Sequence, residues 1–236
     1  MTNLILIIVW IYTSTIIHEI GHAAMAFILR VRVLDVGWGM GPVLGRRTSR
    51  TGQQWTLKLW PVGAYCALDR QAVEHKTPGV QAVIAASGIV MNVVSAWILA
   101  TAMVAGHIRL PWWKLPLGGW HLGTALLGVI VVSISHRLVT KAGQHMLTAG
   151  PVVAAHQIAH AAPIHGVDAL ALGFFMNIVL ALTNVLPFPA LDGGRLAFIG
   201  ISKLRGRPIA NEDRWHRWGM RVMLGAFVVW LVHGVV

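Results

Sequence analysis

The 236-residue sequence is 56% hydrophobic and 11% charged, with a mean hydropathy of +0.67. Soluble domains carry about a quarter charged residues, so the composition excludes a disordered chain, argues against an ordinary cytosolic enzyme and favours a polytopic membrane protein. The 19 Lys and Arg against 8 Asp and Glu give a formal +11, and the single cysteine, Cys66, excludes a disulfide framework and a multi-cysteine zinc site.

In chain order, residues 3–29 form the first apolar stretch, interrupted by His18, Glu19 and His22 and free of Lys and Arg before Arg30. The stretch has no basic leading region and runs too long for a cleaved signal peptide, so it is predicted to span the bilayer. Residues 31–66 form a β-hairpin region. There Gly37-Trp38-Gly39-Met40-Gly41-Pro42 is followed by the alternation Trp55-Thr56-Leu57-Lys58-Leu59, and glycine turns beside period-two alternation favour hairpins over helix. Residues 80–105 carry no formal charge and form the second predicted span. Residues 112–165 form an interfacial segment, in which the apolar run His121 to Ser135 is short enough to read as an interfacial or re-entrant helix. Residues 169–188 are the third predicted span and 218–236 the fourth.

The basic residues orient these spans. Residues 30–79 hold eight Lys or Arg, residues 106–168 hold four and residues 192–221 hold seven. The positive-inside rule puts the first and third connections in the cytoplasm and both termini outside. The fold class is therefore an all-α polytopic membrane protein, a single domain over residues 1–236. It has about four transmembrane helices, a membrane-associated β-hairpin region after the first and an interfacial or re-entrant helix before the third.

His18-Glu19-Ile20-Gly21-His22 is an HExxH pattern inside the first span. On a helix, residues four apart share a face, so both imidazoles can reach one metal ion, and Glu19 beside them can accept a proton from water. Three ionisable groups in a membrane helix are expensive without partners, which makes a metal site a better reading than two core histidines and a structural Glu. Zinc asks for a third protein ligand and an open fourth position. Ile28 stands where a third histidine ten residues after His18 would be, and Glu74 and Glu212 lie in polar, basic connections. Asp192 fits better. It closes Asn184-Val185-Leu186-Pro187-Phe188-Pro189-Ala190-Leu191-Asp192, where two prolines unwind the chain and can aim a carboxylate inward. The alternative for Asp192 is a helix cap at a membrane exit.

Taken together, the HExxH pattern and the Asn184–Gly194 segment resemble the site-2 proteases, the intramembrane zinc metalloproteases, and most closely the bacterial regulator-of-sigma-E type. Arg32–Met40 resembles that group's membrane-re-entrant β-hairpin. Pro61-Val62-Gly63-Ala64-Tyr65 with Leu68-Asp69 resembles a second element of the group, and Ser87-Gly88-Ile89-Val90-Met91-Asn92 its Gly-Pro-x-x-Asn pattern. Gly150-Pro151-Val152 resembles the segment before its third span. Three departures are visible: Ile89 stands for proline, Ala64 for glycine, and residues 106–169 are too few for the extracytoplasmic PDZ domains of that group.

The resemblance implies one Zn²⁺ ion held by His18, His22 and Asp192, with Glu19 as the general base of peptide hydrolysis. It implies substrate contacts from Asn92, Asn184, Gly37 and Gly39, the amides positioning an extended backbone and the hairpin offering it a strand edge. For Asn92 an interhelical hydrogen bond is nearly as good a reading. The implied partners are the lipid bilayer and single-span membrane proteins or signal peptides, with an adaptor protein in place of the PDZ domains. The implied location is the cytoplasmic membrane of a prokaryote. Two other classes remain open: a catalytically silent scaffold that binds helices in the same cleft, and a zinc transporter or sensor. Nucleic acid is not an expected partner, because the tryptophans near predicted span ends fit an aromatic belt. His156 and His160 share the four-residue spacing without a Glu and read as an interfacial helix face. Gly193-Gly194 reads as backbone freedom around Asp192.

Overall fold

The computed structural model describes residues 2–107, 110–139, 164, 166–207, 209 and 211–233. The described elements are helix α1 (Thr2–Ile28), strands β1 (Val33–Thr48) and β2 (Gln54–Leu68), helix α2 (Arg70–Glu74) and helix α3 (Pro78–His107). A 3₁₀ turn (Trp112–Lys114) leads into α4 (Leu115–Val139), and α5 (Val167–Val185), α6 (Asp192–Arg205) and α7 (Glu212–His233) follow. Two compact units are distinguished. One is built from Trp10–Ser95 and Met176–Trp218, the other from Met1–Val9, Ala96–Phe175 and Gly219–Val236.

Among the described residues, three helices are long and apolar enough to cross a membrane, over Asn3–Ile28, Pro78–Gly106 and Val167–Val185. They correspond to the first three expected spans. The expected fourth stretch lies in α7, which begins six residues earlier than anticipated, at Glu212, with a charged first half. The apolar run expected to be short, His121 to Ser135, lies inside the 25-residue α4, which the 3₁₀ turn starts upstream of it. His156–His160 and Gly150-Pro151-Val152 fall outside the described residues.

In the first unit, α1 is an inside-out helix. Ser14, His18, His22 and Ala26, each one turn apart, are buried, while Ile11, Ile20 and Phe27 are exposed. A helix apolar on its outward face and polar on its inward one suits a lipid surround. The lower end of α1 closes on Val31 and Ile84, with Val33, Leu68, Ala72 and Val80 packed around them, so helix, strands and α3 share one core.

The two strands pair antiparallel, but each bends at its middle. Gly39, Gly41 and Gly63 adopt positive φ (88°, 84° and 76°), a conformation that favours glycine. As a result the first half of β1 has β2 on both sides: Val36 lies opposite Cys66 and also opposite Trp55. Asp35 holds the bend, accepting hydrogen bonds from Tyr65 Oη (2.8 Å) and from Thr56 Oγ1 (2.9 Å). Trp38 stacks on Trp55 at 5.5 Å, and Lys58 Nζ sits 4.2 Å over the Tyr65 ring. Asp69 then caps α2, its carboxylate accepting from the Ala72 N–H.

In the second unit, the far half of α3 lies against α4. A Cβ at Gly119 would sit 2.7 Å from Thr101 Cα, and the Trp97 indole donates to the Pro116 carbonyl at 3.1 Å. The Ile164 N–H donates to Asn3 Oδ1.

Close approach also sets α1 against α3 in the first unit. A Cβ at Gly21 would stand 2.6 Å from the Ser87 carbonyl oxygen and 2.7 Å from Met91 Cγ. Gly21→Val should destabilise the protein by about 1–3 kcal/mol, the usual cost of overpacking, read as a lowered Tm in detergent. An unchanged Tm would show that the two helices can separate freely here.

Candidate metal centre

His18 and His22 project from α1 one turn apart, their rings 4.9 Å apart at 77°. Asp192 reaches them from the first residue of α6, 174 positions after His18. Pro187 and Pro189 keep residues 186–191 out of the helix, as the sequence anticipates, and the Leu191 N–H turns back to the Phe188 carbonyl at 3.1 Å. The glycines after Asp192 serve close packing. A Cβ at Gly193 would lie 2.2 Å from the Val185 oxygen, and one at Gly194 would lie 2.2 Å from the Phe188 oxygen. Neither has positive φ, so their lack of a side chain, more than conformational freedom, brings α6 up to the end of α5.

The three ligand-type atoms form a small triangle. His18 Nε2 is 2.8 Å from Asp192 Oδ2, His22 Nε2 is 3.3 Å from the same oxygen, and the two nitrogens are 3.3 Å apart. Ligands about 2.0–2.1 Å from a tetrahedral zinc stand roughly 3.3–3.4 Å from one another, so the triangle has the size of one face of that tetrahedron. His18, His22 and Asp192 are also the group among the described residues whose geometry suits a metal ion.

The surroundings fit the same ion. His22 Nδ1 donates to the Ile84 carbonyl at 2.9 Å, a bond that leaves the Nε2 lone pair facing the triangle. Ser87 Oγ donates to the same carbonyl at 2.7 Å. Asn92 Nδ2 stands 3.1 Å from His18 Nδ1, the side chain is 0% exposed, and its amide oxygen has no hydrogen-bond partner. With that oxygen turned to the ring, the amide accepts the Nδ1 proton and leaves Nε2 free for a metal. A Cβ at Gly88 would fall 2.5 Å from both Nε2 atoms. The missing side chain of Gly88 therefore leaves the space on which the two imidazoles converge.

Glu19 lies beside this triangle, with the backbone of Cys66 on β2 close to its carboxylate. Burial would raise the Asp192 carboxyl, but the adjacent His18 and His22 rings hold it well below the usual carboxylate range. Burial, with the nearby carboxylates of Glu19 and Asp35, pushes the Cys66 thiol up to about 12, so it is protonated and inert at neutral pH.

The structure thus brings together His18, Glu19, His22, Asp192 and Asn92. The other residues expected at a substrate make local contacts. Asn184 Nδ2 donates to the Leu180 carbonyl one turn back at 3.0 Å. Gly37 lies under the Tyr65 ring, 2.1 Å from where its Cβ would be, and Gly39 makes the β1 bend. Ile84, Ser87 and Gly88 were not singled out as site residues. Their roles depend on a carbonyl and a missing side chain, which a residue pattern does not reveal.

Residues 6–230 match the profile of peptidase family M50. The chain is similar to the zinc metalloprotease RasP of Bacillus licheniformis, 38% identical over 89 residues, which cover 38% of this chain and 21% of that protein. It is also similar to the regulator of sigma-W protease RasP of Bacillus subtilis, 38% identical over 76 residues, 32% of this chain and 18% of that protein. The chain therefore spans about a fifth of the length of these curated relatives.

Two outcomes check the centre. Gly88→Ala should leave helix α3 intact and cut bound zinc per chain, measured by elemental analysis, to a small fraction of the wild-type value. At pH 8, iodoacetamide should alkylate Cys66 far more slowly in the folded protein than in the unfolded chain, and equal rates would contradict the raised thiol.

Proposed function

Because this chain belongs to peptidase family M50, we propose that it is an intramembrane zinc metalloendopeptidase that hydrolyses peptide bonds within or near the transmembrane segments of other membrane proteins. The observation that carries this reading is the buried triangle of His18, His22 and Asp192 with Glu19 beside it, on a helix otherwise apolar enough to cross a membrane.

His18, His22 and Asp192 would hold the zinc ion, which when bound supplies Lewis-acid polarisation of water and of the scissile carbonyl. Glu19 accepts a proton from the attacking water as the new C–O bond forms. It then delivers that proton to the amine nitrogen as the C–N bond breaks. Ile84 and Asn92 keep the two imidazoles turned with Nε2 inward. On this reading Asn92 acts on His18 more than on substrate, while Asn184 remains an amide for an extended substrate.

A transmembrane substrate is helical, with its carbonyls hydrogen-bonded and shielded, so it must be extended before attack. The bent hairpin supports that step. The Cys66 end of β2 meets Glu19 through its backbone, so a segment added along this strand would run beside the general base. Gly37 and Gly39 then contribute by shaping the sheet. Single-span proteins and leftover signal peptides are the proposed substrates. The Bacillus subtilis relative is named for regulation of sigma-W, and a signalling precursor of that kind belongs to the same class. An adaptor protein would supply selection in place of PDZ domains.

The topology completes the reading. The stretch 218–236, whose described part lies in α7, makes a fourth crossing. The basic connections after α1 and after α5 then face the cytoplasm, with both chain ends outside.

Glu19→Gln should abolish cleavage of a co-expressed single-span substrate while bound zinc stays near one ion per chain. Zinc removal by a chelator should abolish cleavage reversibly. Cleavage that survives Glu19→Gln would overturn the mechanism, and a zinc-loaded wild type that cleaves no span would favour a helix-binding scaffold.

A further inference from the structure

The metal triangle depends on a short connection that the ligands themselves do not hold. Ala190, two residues before Asp192, has φ of +100°, outside the range a non-glycine residue adopts readily. Its N–H donates to Nδ1 of His216, 3.0 Å away on α7. Two other groups border the His216 ring. Nε2 lies 3.4 Å from Glu212 Oε1, within ion-pair distance but without hydrogen-bond geometry, and the Phe198 ring of α6 meets the imidazole edge-on at 5.3 Å. A neighbouring clamp holds the start of α7: Asp213 pairs with Arg70 of α2, which also bonds Glu74 at 2.5 Å.

We propose that His216 is a positioning residue for the metal centre: its neutral Nδ1, by accepting the Ala190 N–H, holds the strained turn that aims Asp192 at His18 and His22. The chemistry requires an acceptor at the Nδ1 position and a proton on Nε2, the tautomer that Glu212 favours. The side chain is 21% exposed, touches neither of the metal-binding imidazoles in the contacts described, and lies 24 positions beyond Asp192. Its effect therefore passes through the backbone of residues 190–192. This inference rests on the metal-centre reading above.

The test uses two amide substitutions in the full chain in detergent. In His216→Asn the side-chain oxygen takes the place of Nδ1, whereas in His216→Gln the amide reaches the place of Nε2. Both are polar and uncharged. Zinc affinity is measured by competition with a chromophoric chelator, and ligand geometry by the visible absorption of the Co²⁺-loaded protein. Supporting side chains of metal sites typically contribute 10–100-fold in affinity, so His216→Gln should lose on that order with a changed cobalt spectrum, and His216→Asn should stay within about threefold of wild type. In an Asp192→Ala background the two variants should bind zinc equally. Amide exchange at Ala190 in the unaltered protein should be slow, which tests the hydrogen bond without any substitution.

Equal affinity in His216→Gln and wild type, equal losses in Asn and Gln, a difference that persists without Asp192, or fast exchange at Ala190 would each overturn the proposal. A wild type that takes up no zinc would overturn the metal centre itself. Normal zinc uptake with an indifferent His216 would leave the enzyme reading standing.

Discussion

A helix that must be apolar toward its surroundings and ionisable toward its interior sets the terms for the unit that carries the metal centre. His18, Glu19 and His22 cannot face hydrocarbon without a cost of several kcal/mol, so each needs a partner that the helix itself cannot provide. The partners come from three other elements. Asp192 arrives on α6, the Ile84 carbonyl and the Asn92 amide on α3, and the Cys66 backbone on β2. Satisfying these groups draws α1, α3, α6 and the sheet into one cluster, and the ligand geometry follows from that clustering.

Small residues are what allow the approach. Gly21 lets α3 touch α1, Gly88 opens the space between the imidazoles, and Gly193 and Gly194 let α6 rest on the carbonyls at the end of α5. In hydrocarbon the hydrophobic effect gives helices little reason to associate. Close backbone contact and interhelical hydrogen bonds do that work instead. The same glycines therefore serve both the stability and the chemistry of this unit.

Much of this was legible in the residue pattern. The HExxH spacing, the prolines before Asp192 and the charge-free stretches each have a local physical cause, and the structure shows the corresponding helix face, unwound connection and long apolar helices. Other features depend on contacts between distant segments and leave no local signature. The bends that put β2 on both sides of Val36 were invisible because alternation is the same in a straight hairpin and a folded one. For Asn92 a substrate contact and an interhelical hydrogen bond are nearly equal readings of the pattern, and only the helix pairing puts it against His18. His216 carries no pattern at all: its significance comes from Ala190, a residue with no chemistry of its own. The full length of α4 and the charged beginning of α7 were hidden because an apolar run marks the membrane-facing part of a helix and not its ends.

The 174 positions between His18 and Asp192 have a consequence for biogenesis. Helix α1 leaves the ribosome with two imidazoles and a carboxylate, but the third ligand follows only 170 positions after His22. Until then two histidines make a weak, incomplete site. A nascent chain in the membrane, surrounded by other newly inserted helices, therefore has no complete ligand set. The order of the residues along the chain acts as a timer, and the ligand set is completed only with α6, which carries Asp192.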